Sequence, residues 1–223
     1  MKRRQDFDGS EGRSAKRQAT MPCVLKFLTP EVLASAIIGK RGSVIASMRE
    51  STQSKLGLTD HHDFYPGTDC RILTVQANEE ASLTQVSTQI IAKVQECAEA
   101  SPSEQLGEPG ELKLRTLVPK VAVGGIIGKA GSNIKQLREA SGSKIQISDP
   151  ISPGPSGEQT VTIVGSAQGL EYVMSEVNKQ VQALNTEEWF QAWASSTSSP
   201  TGGGMSSGGG GRGGGGGRNG GGG

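Results

Sequence analysis

Apolar residues fall along this chain in two spacings, and the same succession of spacings occurs twice. Val24-Leu25-Lys26-Phe27-Leu28 reads as a short apolar strand. Pro30 opens a helix in its first turn, and Val32, Leu33, Ala36 and Ile37 recur at helical intervals. That helix stops at Gly39. Ser43 is placed to cap a second helix, in which Val44, Ile45 and Met48 form the buried stripe while Arg49 and Glu50 lie toward solvent or ligand. Lys55-Leu56-Gly57-Leu58 predicts a strand, positions 59–69 a polar loop, and Arg71-Ile72-Leu73-Thr74-Val75 a further β-rich run. Over about 79–100, Leu83, Val86, Ile90, Ile91 and Val94 recur at three and four, so this long helix needs a sheet face to cover.

An offset of 89 residues carries positions 24–58 onto a second copy without a gap: Leu25 onto Leu114, Pro30 onto Pro119, Gly39 onto Gly128, Arg49 onto Arg138, Lys55 onto Lys144. The register slips by one within the following loop, 59–69 against 148–158, where a surface connection absorbs length differences. The pattern resumes with Thr160-Val161-Thr162-Ile163-Val164 and ends in a helix over about 167–184, with Leu170, Val173, Val177, Val181 and Leu184 as its stripe. Both copies therefore read β-α-α-β-β-α, an α+β pattern.

The most informative part of the repeat is the heptapeptide Ile37-Ile38-Gly39-Lys40-Arg41-Gly42-Ser43 and its copy Ile126-Ile127-Gly128-Lys129-Ala130-Gly131-Ser132. Two glycines three apart, between two helices, make a turn with no side chain to hold a phosphodiester away. The amides and positive dipole end of the second helix favour an anion there, as does the lysine between the glycines. Gly39, Lys40, Arg41 and Gly42, with Gly128, Lys129, Ala130 and Gly131, thus form two candidate clamps for a nucleic-acid backbone.

Charge adds nothing to this, because 23 Lys plus Arg against 22 Asp plus Glu exerts no net pull on a polyanion. An aromatic fraction of 4% argues against a base-stacking sheet. Cys23, Cys70 and Cys97 are odd in number and widely spaced, which indicates neither a disulfide framework nor a zinc site, and suits a reducing compartment. Apolar runs fall short of a membrane span, and the first residues are not signal-like, so a soluble intracellular protein without membrane partners is expected.

These features divide the chain into a basic, disordered tail over 1–20, a first domain over 21–100, a linker over 101–110, a second domain over 111–185, a tryptophan-containing helical extension over 186–194, and a Ser/Gly-rich disordered tail over 195–223. Lys2-Arg3-Arg4 and Lys16-Arg17 suit either a two-part nuclear import signal or a solvated arm. The linker, broken by Pro102, Gly107, Pro109 and Gly110, would span roughly 18 Å if flexible and hold two sites at about millimolar effective concentration. Trp189 and Trp193, four apart, either pack onto the fold or dock a partner protein, packing being the favoured reading. In the last segment Arg212 and Arg218 stand alone among glycines.

Ile-Ile-Gly-Lys-x-Gly in this order of elements resembles the type I form of the K-homology (KH) domain. Within that family, Asp63-Phe64-Tyr65-Pro66-Gly67-Thr68 is similar to the loop of the Nova group, whereas Met48-Arg49-Glu50 and Arg71-Ile72 resemble the poly(C)-binding and hnRNP K group. The resemblance implies, in each copy, a three-stranded antiparallel sheet packed on three helices, with a groove holding about four unpaired nucleotides between clamp and variable loop. The aliphatic floor would come from Val32, Ile37, Ile45 and Leu56, and from Val121, Ile126, Ile134 and Ile145, at least half of which serve equally as core. Arg49 and Arg71 match positions where such proteins read cytosine, whose O2 and N3 accept from a guanidinium. The second copy keeps Arg138 but is expected to carry Thr160 where Arg71 falls, and Ala130 removes one charge from its clamp.

Catalysis finds no support in the residues. A phosphate-binding P-loop requires a glycine five positions before Gly128, where Val123 stands, and Ala130 replaces the hydroxyl that would hold magnesium. His61-His62-Asp63 lacks a third ligand or a nucleophile. The expectation is a non-catalytic protein without cofactor or metal that binds single-stranded, pyrimidine- or C-rich mRNA or pre-mRNA in the nucleus or cytoplasm. It would serve splicing, mRNA stability or translation. Single-stranded DNA binding, and a scaffold that uses Trp189 and Trp193 to hold a partner, remain open alternatives.

Overall fold

A computed structural model of the chain describes residues 21–196. Cys23–Pro30 forms strand β1, buried along its whole length. Helix α1 (Glu31–Ile38) follows directly and is ended by Gly39, whose positive φ takes the chain out of the helix while its amide donates to Ser35 O at 2.9 Å. A single 3₁₀ turn, Lys40–Gly42, leads to α2 (Ser43–Thr52), then to β2 (Lys55–Leu58), β3 (Cys70–Ala77) and the long α3 (Glu80–Ala100). The second copy repeats each element: β5 (Glu111–Pro119), α4 (Lys120–Ile127), the 3₁₀ turn Lys129–Gly131, α5 (Ser132–Ser141), β6 (Lys144–Ile147), β7 (Glu158–Gly165) and α6 (Ala167–Gln182). In each copy the third strand lies between the other two, β3 between β1 and β2, and β7 between β5 and β6, all antiparallel.

Ser43 was the expected cap of α2, but the cap position falls on Gly42, in a left-handed conformation, and no side chain bonds the amides of the first turn. Gly131 stands in the same place before α5. A glycine holds the positive φ of the tight turn without strain, and for that reason the serine is displaced into the helix.

The two three-stranded sheets are one sheet. β1 pairs antiparallel with β5 through Lys26↔Leu117 and Phe27↔Thr116, giving the order β2-β3-β1-β5-β7-β6. Thr116 is the counterpart of Phe27 under the 89-residue offset, so an approximate two-fold axis passes between them and relates the copies. Where β1 runs past its partner, Gln182 of α6 substitutes for a strand: its side-chain amide accepts from Val24 N and donates to Val24 O, both at 3.0 Å. α3 packs on α6, and Asn178 Nδ2 donates to Glu80 O and Thr84 Oγ1 at 3.3 Å.

Lys26 lies at the centre of this seam and is fully buried. Its Nζ is 2.8 Å from Glu158 Oε1 of the second copy and donates to Trp193 O and Ser196 O at 2.6 Å. Burial pulls the amine's pKa down while Glu158 opposes the shift. A short helix α7 (Phe190–Ser195) brings Trp193 there, with Lys26 Nζ 4.6 Å from the centroid of its ring. The tryptophan pair therefore packs, Trp193 buried on α7 and Trp189 partly buried at the cap position before it, and α7 is a separate helix that does not prolong α6.

The segment 101–110 departs from the flexible linker its prolines and glycines suggest. Leu106 is buried in the common core, Lys113 N donates to Leu106 O at 2.7 Å, and a two-residue strand β4 (Gly107–Glu108) pairs with β5. Both basic clusters of the first twenty residues and the glycine-rich stretch with Arg212 and Arg218 lie outside the described residues. Among the described residues no helix is long and apolar enough to cross a membrane.

Candidate nucleic-acid interface

The two clamps have the same backbone. Gly39 has φ 70 and ψ −178 and Gly128 φ 73 and ψ 179, a region open only to glycine. Arg41 and Ala130 both stand in left-handed conformation, at φ 53 and 52, followed by Gly42 and Gly131 at φ 77 and 79. Gly42 N donates to Gly39 O, and Gly131 N to Gly128 O, at 3.2 Å in each copy. Space as well as torsion requires the first glycine: a Cβ on Gly39 would meet Val44 Cβ at 2.8 Å, and one on Gly128 would meet Asn133 Cβ at 2.6 Å. Lys40, Arg41, Lys129 and Ala130 are exposed on these turns. Each turn thus presents an uncapped helix N-terminus, and lysine charge stands at its edge.

Of the eight residues expected to floor the grooves, Val32, Val121 and Ile134 retain exposed surface, Val32 at 56% and Val121 at 44%. Ile37, Ile45, Leu56, Ile126 and Ile145 are buried and support the floor from within the core. Burial fits their place on inward faces: each follows the helical or strand period of the element that carries it.

The arginines are held by the strand they flank. Arg49 donates through Nε and a terminal nitrogen to Leu56 O at 3.2 and 2.6 Å, and Arg138 donates to Ile145 O at 2.6 Å. Arg71 is buried and donates through Nε to Thr59 O at 2.8 Å, with a second nitrogen 3.7 Å from Glu31 Oε1. His61 Nδ1 of the variable loop lies 3.4 Å from the same oxygen. Glu31, at the start of α1, was not among the expected residues. Its signal is visible only in three dimensions, since 40 positions separate it from Arg71.

The expected counterpart of Arg71, Thr160, is corrected by the strand register. Arg71 pairs with Thr29 in β1–β3, and Gln159 pairs with Val118, the counterpart of Thr29, in β5–β7. Gln159 Nε2 donates to Ser148 O just as Arg71 donates to Thr59 O. The one-residue slip moves the equivalence by one position, and the neutral Gln159 replaces the arginine. Lys120 occupies the place of Glu31, so the carboxylate is also missing from the second copy.

The first variable loop is anchored by Tyr65, buried against Leu28, Cys70, Ile72 and Leu117, with its phenol pKa pushed up by burial. Phe64 bridges to Arg71. The loop is thereby fixed against the strand that carries the arginine. Among the described residues no group of three His, Cys, Asp or Glu could hold a metal ion.

The sequence pattern that defines the KH domain family matches residues 24–92 and 113–179. RNA-binding protein Pasilla of Drosophila melanogaster is 36% identical over 150 residues, which is 65% of this chain and 19% of that protein. RNA-binding protein Nova-2 of Homo sapiens is 31% identical over 195 residues, 80% of this chain and 39% of its own length. The chain thus spans less than half the length of these relatives. Dim2p from Pyrococcus horikoshii OT3, a solved structure, aligns over 77% of this chain at 15% identity with a TM-score of 0.26, too low to bear on function.

Proposed function

The chain belongs to the KH domain family, with two copies of the domain, and we propose that it binds single-stranded, pyrimidine-rich RNA without catalysing a reaction on it. Its place would be post-transcriptional regulation of mRNA or pre-mRNA in the nucleus or cytoplasm. The observation that carries this reading is the clamp, built twice with the same torsions and left without a side-chain cap both times. A phosphodiester supplies the negative charge that these helix starts lack. The relatives Pasilla and Nova-2, RNA-binding by name, support it.

The first groove carries the sharper base preference. Arg71, its Nε edge held by Thr59 O, has terminal N–H donors to spare, and Glu31 beside it is an acceptor on the same rim. An unpaired cytosine presents the complement, acceptors at N3 and O2 and a donor at N4. With Gln159 and Lys120 in these places, the second groove discriminates less.

Aspartate at positions 40, 41, 129 and 130 tests the reading. Repulsion removes RNA binding while circular dichroism shows the fold unchanged; full retention of RNA by that variant refutes the clamp and favours a protein scaffold. In the unaltered chain, about three to five neutralised phosphates give a slope of log K against log salt of roughly −2 to −4.

A further inference from the structure

We propose that the exposed pair His61 and His62, in the first variable loop, is a stacking platform for one further unpaired base of the RNA, beside the cytosine that Arg71 and Glu31 face. The inference rests on the RNA-binding reading above and adds to it a subsite that the first groove has and the second lacks.

The loop holds the two rings in a fixed arrangement. Thr59 ties its start to β3, its amide donating to Ile72 O at 3.0 Å. Asp63 N donates to Asp60 O at 3.0 Å and Thr59 Oγ1 to Asp63 O at 2.8 Å, so residues 60–63 form a closed turn. Both histidines are exposed on it, the His61 side chain at 61%. Their ring centroids lie 4.1 Å apart with 29° between the planes, and Phe64 stands across the His62 ring at 6.0 Å and 87°. His62 has φ 73, a left-handed torsion that a residue with a Cβ adopts only under strain. Burial does not repay that strain, since both rings stay in solvent. What the torsion gives is the placement of one ring over the other.

The pair stands at the base-reading end of the groove. His61 Nδ1 lies 3.4 Å from Glu31 Oε1, the same oxygen that Arg71 approaches at 3.7 Å. A base held between Arg71 and Glu31 therefore has His61 as its neighbour, and the next base along the strand meets ring faces. Imidazole faces stack on a nucleobase without regard to its hydrogen-bonding edge. Exposed Asp60 and Asp63 flank the rings, so the turn repels a phosphodiester and offers the RNA ring surface instead of positive charge. The second variable loop, 149–157, contains no aromatic residue, and Ile151 is its exposed apolar side chain. It has no π face for a base.

The test uses the full chain with Lys129→Asp and Ala130→Asp, so that binding reports the first groove. Tetracytidine is compared with pentamers that carry a fluorescent purine at one end or the other. One pentamer is expected to bind roughly 5- to 20-fold more tightly than the tetramer, with its fluorescence quenched by stacking. An abasic residue at that end should give no gain. His61→Ala with His62→Gly should remove the gain and leave tetracytidine affinity unchanged, because glycine keeps the left-handed torsion. His61→Phe should retain the gain, since it loses only the nitrogen that faces Glu31 and keeps a ring. No gain at either end, a gain from the abasic residue, or a gain that survives removal of both rings overturns the proposal. So does loss of the gain in His61→Phe, or an equal loss of tetracytidine binding when both rings are removed. Failure of tetracytidine to bind the first groove at all overturns the RNA-binding reading itself, which is a different result.

Discussion

Lys26 Nζ and Glu158 Oε1, 132 positions apart in sequence, meet at 2.8 Å in the middle of the sheet and join the first domain to the second. Two charges in so dry a place are stable only together, because each alone forfeits its hydration without compensation.

Lys26→Met therefore strands the buried Glu158, and a loss of about 3–5 kcal/mol in unfolding free energy is expected by urea titration. Lys26→Met with Glu158→Gln should recover much of it. A double variant no more stable than the single one would mean that the amine matters for its bonds to Trp193 O and Ser196 O and not for the ion pair.

Gly39 and Gly42 should differ sharply under the same substitution. Gly39→Ala adds strain to a contact with Val44 and should cost roughly 2–5 kcal/mol. Gly42→Ala has open space around its Cβ and bears only the left-handed torsion, about 1 kcal/mol. Thermal melts of the two variants rank them, and equal losses would contradict the geometry of the turn.

Exchanging the groove residues should exchange their preferences. Arg71→Gln is expected to lower discrimination for cytosine at one position of the first tract by about 1–3 kcal/mol, and Gln159→Arg to add part of that discrimination to the second. Binding to RNAs with a single cytosine replaced by uridine measures both. Unchanged selectivity in both variants would assign base reading to other residues.

The three cysteines should be inert in the folded protein. Cys23, Cys70 and Cys97 are all buried, and desolvation is the largest cause holding each thiol pKa above its ordinary 9.0. Since the folded state keeps these protons, their contribution to stability is complete below about pH 9 and declines as pH rises through the shifted values. Iodoacetamide at pH 8 should label them slowly in buffer and fully in denaturant, as mass spectrometry would show. Rapid labelling of any one in buffer would place it at an opening in the core.

The elements themselves were legible in the sequence because each has a local cause. Gly39 and Gly128 stop a helix whatever surrounds them, and the stripe from Leu83 to Val94 demands a helix on a sheet. Long-range partnership was not legible. Lys26 sits in an apolar strand, where a charge reads as solvent-facing, and only the juxtaposed second domain and α7 turn it inward. Leu106 is a single apolar residue among prolines and glycines, with no period to mark it, yet it anchors that segment in the core. Gln159 was hidden by a one-residue slip that only hydrogen-bond register can locate. Glu31 gains meaning only when the variable loop and β3 bring His61 and Arg71 to it.

The pairing of β1 with β5 also limits growth. By pairing with each other, β1 and β5 close the edge that each three-stranded sheet would leave bare beside its first strand, and only β2 and β6 are left as margins.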